Sequence, residues 1–404
     1  MKLTLKQKSW IAVAVFVVVF AGLLVAATFI DLEVSHLLTK GALEDGAYLA
    51  DDIFGVFFEI VGSSAIYILI GACATICFWF FIKVYNKKPW NVIFAVICAV
   101  AGTVAFWLMF SDIFGYVMEH ILKDTFVTGG NEFARYELIH ALEDNGAFIA
   151  VEILLAIAFE GLTILSMKSL SNETLAKLTK FVLASAVMAA LANLLVMVIK
   201  EPVGRMRYRA MNSEVGQIMG GFDNFTKWFV STDNNKVYNA KELFGYSDAF
   251  KSFPSGHTCA AGMVYALIML IDVLEVKKTW HKVAIWVSTI VAVGLVAVSR
   301  IVVGAHFFSD VLMGGTLAFV SMIIAREIFI SKGAHVKAMF GIGNSVDDDT
   351  TAEEDAIDDE NAVAEEDVTV ADENTDVVVE ETTIAAEESA STETESVITE
   401  TVAE

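Results

Sequence analysis

The apolar positions of this chain fall in continuous runs of about 20 residues, the length a helix needs to cross a bilayer. Eight runs stand out, at roughly 10–30, 57–82, 91–111, 147–166, 181–199, 258–273, 283–301 and 309–330. Barrel strands would alternate with period two, which these runs do not. Backbone groups inside a bilayer must satisfy one another within their own segment, so the runs predict helices. The expected fold is an all-α integral membrane protein, a helical bundle of about eight transmembrane helices. The first run follows Lys2, Lys6 and Lys8, as a signal peptide would. It outlasts the 7–15 residues of a signal core, so a retained span is expected.

Composition supports that reading. Of 404 residues, 56% are hydrophobic and only 19% are charged, and the mean hydropathy is +0.61. A soluble enzyme is excluded. Three Pro and four Cys exclude a proline-rich or disulfide-built chain, and Cys73, Cys77, Cys98 and Cys259 read as buried thiols. The net charge of -23 is local: 347–404 holds 23 of the 50 acidic residues and none of the 27 basic ones. The rest of the chain is balanced and shows no basic patch, so nucleic acid is not an expected partner. The tail is too polar to fold on its own, and a disordered acidic C-terminal tail is expected. Nothing in it identifies a tail partner.

The short connections are dense in Lys, with Lys83, Lys87, Lys88, Lys168, Lys177, Lys180, Lys277, Lys278 and Lys282. The positive-inside rule then puts both termini in the cytoplasm and the pieces near 31–56, 112–146, 200–257 and 302–308 outside. The expected divisions are 1–180, four N-terminal spans; 181–335, a catalytic helical core with an outer loop at 201–253; and 346–404, the tail.

Three clusters gather on that outer side. The first runs from Lys200 through Glu201-Pro202-Val203-Gly204-Arg205-Met206-Arg207. The second is Phe253-Pro254-Ser255-Gly256-His257, and the third runs from Ser299-Arg300 through Gly304 and His306 to Asp310. Lys200, Arg207 and Arg300 are cations at one interfacial level, and guanidinium forks match phosphate oxygens. Ser255, Gly256 and the N–H of His257 open a helix, where free donors favour an anion. The implied ligand is a phosphate group. A neutral imidazole can attack phosphorus, given one free nitrogen and an acceptor on the other. His306 and Asp310, spaced i,i+4, share a face if that stretch is helical, and Asp310 would then orient the ring. His257 can protonate the departing oxygen and later activate water. No metal and no other cofactor is called for. Arg205 and Arg209 read as anchors or surface charge.

These residues resemble the type 2 phosphatidic acid phosphatase superfamily, which includes lipid pyrophosphatases, glucose-6-phosphatase and vanadium haloperoxidases. Its motifs are Lys-x6-Arg-Pro, Pro-Ser-Gly-His and Ser-Arg-x5-His-x3-Asp. The second and third are complete here; the first is met from Lys200 to Arg207, with Tyr208 in place of Pro. The resemblance covers about 200–330 and the helix before it. It implies His306 as nucleophile, Asp310 as its partner, His257 as acid/base, and Lys200, Arg207, Ser255, Gly256 and Arg300 as phosphate binders.

The function expected is a membrane phosphatase acting on a lipid phosphate or diphosphate through a phosphohistidine, without metal. Undecaprenyl diphosphate, phosphatidate and phosphatidylglycerophosphate are the substrates the resemblance implies, and a bacterial plasma membrane is the expected place. A lipid-linked phosphotransferase would use the same intermediate. A transporter is the weaker alternative, since the reactive residues sit at one interface and no repeat is seen. Phe222, Phe225, Trp228 and Phe229 in the outer loop either cover the site or pack on the outer face. Glu152, Glu160 and Asn193 are expected to pair across helices.

Overall fold

The structure is a computed structural model that describes residues 3–44, 52–121, 141 and 145–342. The tail expected to be disordered lies outside the described residues. Among these, no strand occurs, and eight helices are long and apolar enough to cross a membrane. They are α1 (Leu5–Glu44), α2 (Ile53–Trp79), α3 (Trp90–Ile121), α4 (Gly146–Ser166), α5 (Asn172–Val203), α6 (Gly256–Val273), α7 (Thr279–Val302) and α8 (Phe308–Phe329). Each expected span is present. Most are longer than the apolar run that announced them, because polar turns continue the helix past its apolar part.

Local chemistry sets several ends. Asp52 caps α2 by accepting from Gly55 N at 2.8 Å, and Asn145 caps α4 by accepting from Ala147 N at 2.9 Å. Ser171 and Ser255 cap α5 and α6 in the same way. At the end of α5, Gly204 takes φ +60° and folds the chain back; a Cβ there would meet the Thr232 carbonyl at 2.6 Å.

The main core is formed by α2, α5, α6, α7 and α8, around Phe181, Met188, Met263, Met269, Val296 and Met322. Outward positions such as Val18, Leu37, Leu154 and Met197 are apolar and exposed. A lipid-facing surface has that character; a soluble surface of this extent would not.

Glu152, Glu160 and Asn193 each find a partner. Glu152 accepts from Trp107 Nε1 at 3.1 Å, and Glu160 accepts from Thr75 Oγ1 at 3.2 Å. Asn193 instead donates to the Ala189 carbonyl of its own helix at 2.9 Å, so it does not bridge helices. All four cysteines are free.

The connection between α5 and α6 folds into a second small core on the end of the bundle. Met206, Tyr208, Met211, Phe244, Phe250 and Phe307 form it, with Phe222 and Phe225 against them. Trp228 stacks on Phe253 and donates to Thr28 Oγ1 of α1 at 3.0 Å. Phe229 is exposed. The loop aromatics therefore mostly pack under the loop. A buried stripe of α1 supports it from below: Leu24, Ala27, Asp31, Ser35 and Thr39 lie at helical spacing.

Candidate active site

The C-terminal ends of α5 and α7 and the N-terminal ends of α6 and α8 meet beneath that loop. Lys200 lies in the last turn of α5, and a Cβ on Gly256 would come within 3.4 Å of its ammonium. Arg300 ends α7. Gly304, at φ +63°, then reverses the chain, and the N–H groups of Ala305 and His306 both donate to the Arg300 carbonyl at 3.0 and 3.1 Å. His306 is thereby fixed beside the Arg300 turn.

Arg207 and Arg300 are buried. Arg207 Nη2 pairs with Asp248 Oδ2 at 2.6 Å, and Arg209 Nη2 approaches the other Asp248 oxygen at 3.7 Å. Burial alone would raise the Asp248 carboxyl, but Arg207, Arg209, His306 and Lys200 outweigh it and hold it well below the ordinary carboxylate range. Arg300 Nη1 lies 2.8 Å from Glu59 Oε2 of α2. That pair leaves Nε and Nη2 of Arg300 without a hydrogen-bond partner. A fork of donors in that condition is suited to phosphate oxygens.

His306 is wholly buried, and its Nδ1 lies 2.6 Å from the Ser252 carbonyl. A carbonyl only accepts, so Nδ1 carries the proton and Nε2 presents its lone pair. Nε2 has no hydrogen-bond partner. Burial pushes the ring's proton affinity down, to about 3; Asp310 opposes this, while Arg207 and Lys200 reinforce it. A neutral imidazole with a free Nε2 is the form a nucleophile needs.

The expected contact between His306 and Asp310 takes a different form. His306 precedes α8 instead of joining it, so the i,i+4 spacing does not act as on a helix face; Asp310 Oδ2 stands 3.7 Å from Nδ1. Asp310 accepts from Ser252 Oγ at 2.5 Å and from Phe307 N at 2.8 Å. Ser252 therefore stands between the two, with its hydroxyl on the carboxylate and its carbonyl on the ring.

Arg205 is a correction. Expected as an anchor or surface charge, it is one of the most buried side chains in the protein. Its Nη1 donates to Asp310 Oδ1 at 2.5 Å and Ser309 Oγ at 2.8 Å, and its Nη2 to Asp31 Oδ2 of α1 at 3.0 Å. The guanidinium carbon sits 4.2 Å from the Phe307 ring centroid. Asp31 also accepts from Ser309 N at 2.8 Å, tying α1 to the start of α8. The departure at Tyr208 has a structural account as well. Its buried ring packs on Phe222 and Phe307, and its hydroxyl lies 2.7 Å from His36 Nδ1 of α1.

Ser255 plays a more structural part than expected. Its Oγ caps Thr258 N at 3.3 Å and its N–H donates to the Asp310 carbonyl at 3.0 Å. The N–H groups of Gly256 and His257 remain at the helix opening, where no carbonyl of the same helix reaches them. Among the described residues no group of three or more His, Cys, Asp or Glu is placed to hold a metal ion.

Residues 181–332 match the family model described as PAP2 superfamily. This segment is a PAP2 superfamily domain. It contains all eight sequence-derived site residues, and it supports a phosphatase-type activity on phosphoric esters by an integral membrane protein. No curated protein and no solved structure matches the chain. Asp31, Glu59 and Tyr116, which close on the PAP2 domain's site from α1, α2 and α3, lie outside the matched residues. Sequence reasoning missed them, along with Ser252 and Asp248. Asp31 and Glu59 had one signal, being acids placed within long apolar helices.

Proposed function

We propose that this protein is a membrane phosphatase hydrolysing a lipid phosphate or diphosphate through a phosphohistidine on His306. The observation that carries the reading is the state of His306: buried, neutral, locked at Nδ1 by Ser252 and unpartnered at Nε2. Arg207 and Lys200 act on the same ring, and Arg300 holds donors without partners nearby.

The chemistry follows from these groups. Lys200, Arg207, Arg300 and the α6 N–H groups bind the phosphate and stabilise charge on its equatorial oxygens. Nε2 of His306 attacks phosphorus. The bond to the lipid oxygen breaks, and His257 gives that oxygen a proton. The neutral His257 then takes a proton from water as the water oxygen attacks phosphorus and the N–P bond breaks. Ser252 and Asp310 keep the His306 ring in its tautomer and support its positive charge. Apolar helix faces beside the site suit a substrate whose tails stay in the bilayer. On this reading the site faces outward in a bacterial plasma membrane, with both termini cytoplasmic.

The test is phosphate release by purified protein in detergent with a chelator present, on undecaprenyl diphosphate, phosphatidate and phosphatidylglycerophosphate. Release from at least one lipid, lost in His306→Ala, is expected. A His306→Ala protein that releases phosphate at the parent rate overturns the reading. Phosphate found on an added acceptor instead of in solution would assign the protein to phosphotransfer by the same intermediate.

A further inference from the structure

His257 is held by residues the PAP2 domain does not contain. Its Nε2 lies 2.9 Å from the Tyr116 hydroxyl of α3 and 3.3 Å from Glu59 Oε1 of α2. The other Glu59 oxygen is on Arg300 at 2.8 Å, so one carboxylate spans the acid/base histidine and a phosphate-binding arginine. The charged groups around the ring are Glu59 from α2, Lys200 from α5, Arg207 from the loop and Arg300 from α7; Arg209 also acts on Glu59. The three cations around the ring disfavour a further positive charge on it, and Glu59 is the carboxylate that opposes them.

We propose that Glu59 is a positioning residue for the acid/base step: its carboxylate, supplied by α2, holds on His257 the proton that the departing lipid oxygen takes. The proposal rests on the phosphatase reading above. With Nε2 committed to Glu59 and Tyr116, Nδ1 is the nitrogen that serves the leaving oxygen. As the P–O bond breaks and the N–P bond to His306 forms, the Nδ1 proton passes to the lipid oxygen and the ring becomes neutral. It regains a proton from the attacking water when the N–P bond breaks, and Glu59 stays ionised throughout. The incoming phosphate competes with Glu59 for Arg300, which frees the carboxylate to serve His257 alone. The N-terminal helices are in this way part of the active site.

The test is the pH profile of kcat/KM for lipid phosphate hydrolysis by the full-length parent, Glu59→Gln, Glu59→Asp and Tyr116→Phe, with thermal unfolding of each. Glu59→Gln is expected to lower kcat by about 10²-fold, the lower range of general acid contributions. Its alkaline limb should move to lower pH by about one unit or more, the effect of losing an opposite charge at this range. Glu59→Asp keeps the charge one methylene further away and gives an intermediate shift; Tyr116→Phe gives the smallest. A structural role alone would lower the amount of folded protein and leave the limb in place. Should Glu59→Gln fail to fold, Glu59→Asp carries the test by its partial shift. Alkaline limbs that coincide with the parent's in every folded variant overturn the role of Glu59. An active His306→Ala protein would overturn the phosphatase reading itself, so the two failures are separable.

Discussion

Replacing Arg205 by Met removes a charge while keeping most of the stem's volume. Arg205 is fully buried, and three hydrogen bonds leave it, to Asp310, Ser309 and Asp31. Without it, two carboxylates remain buried with no cation between them. Breaking a buried ion pair by removing one partner costs about 3–5 kcal/mol. The loss of contact with Phe307 adds to this. Asp310 would no longer be held against Ser252, and a displacement of about 1 Å at such a site costs on the order of 10²-fold in rate. The assay pairs equilibrium unfolding in detergent with phosphate release. Adding Asp31→Asn to Arg205→Met removes one of the two orphaned carboxylates and should recover about 0.5–3 kcal/mol, the coupling range for contacting residues. The reasoning is refuted if Arg205→Met unfolds within about 0.5 kcal/mol of the parent and keeps its rate, the behaviour of a surface charge.

Three further outcomes are expected. Tyr208→Phe, which loses only the hydroxyl on His36, should cost about 1 kcal/mol in unfolding. Tyr208→Pro keeps a backbone that suits the first position of the Tyr208–Asn212 helix but loses the buried ring, and should cost about 3–5 kcal/mol; equal costs would contradict the packing account. Gly314→Ala would set a Cβ 2.3 Å from the Ser255 carbonyl, forcing α6 and α8 apart, so unfolding should ease by about 1–3 kcal/mol and phosphate release should fall; a neutral effect on both would contradict the close approach. His306 titrates near 3 when folded against about 6.5 when unfolded, so its contribution to stability is full above about 6.5 and is lost as the pH falls toward 3. Unfolding measured from pH 7 to 4 should show a slope approaching about 1.4 kcal/mol per pH unit that His306→Asn reduces, and an unchanged slope in that variant would contradict the assignment.

The membrane helices were legible because lipid demands uninterrupted apolar runs, and each of the eight runs marks a helix. The motif residues were legible because their chemistry is written in short spacings: Pro254 to His257, and Arg300 through His306 to Asp310. What surrounds them was not. Arg205 meets Asp31 across 174 positions and Tyr116 meets His257 across 141, and no periodicity announces pairs so far apart. Arg205 read as interfacial because it follows a span; only the turn at Gly204 sends it inward. The His306–Asp310 spacing suggested a direct contact, but α8 begins after His306, and Ser252 fills the gap from another part of the chain.

The central claim is that phosphate passes through His306. The most direct measurement is rapid quenching of the parent protein during turnover of a ³²P-labelled lipid phosphate, followed by peptide mapping. The account predicts label that survives base, is lost in acid, maps to the peptide holding His306 and is absent from His306→Ala. Label on any other residue, or turnover by His306→Ala at the parent rate, would contradict it.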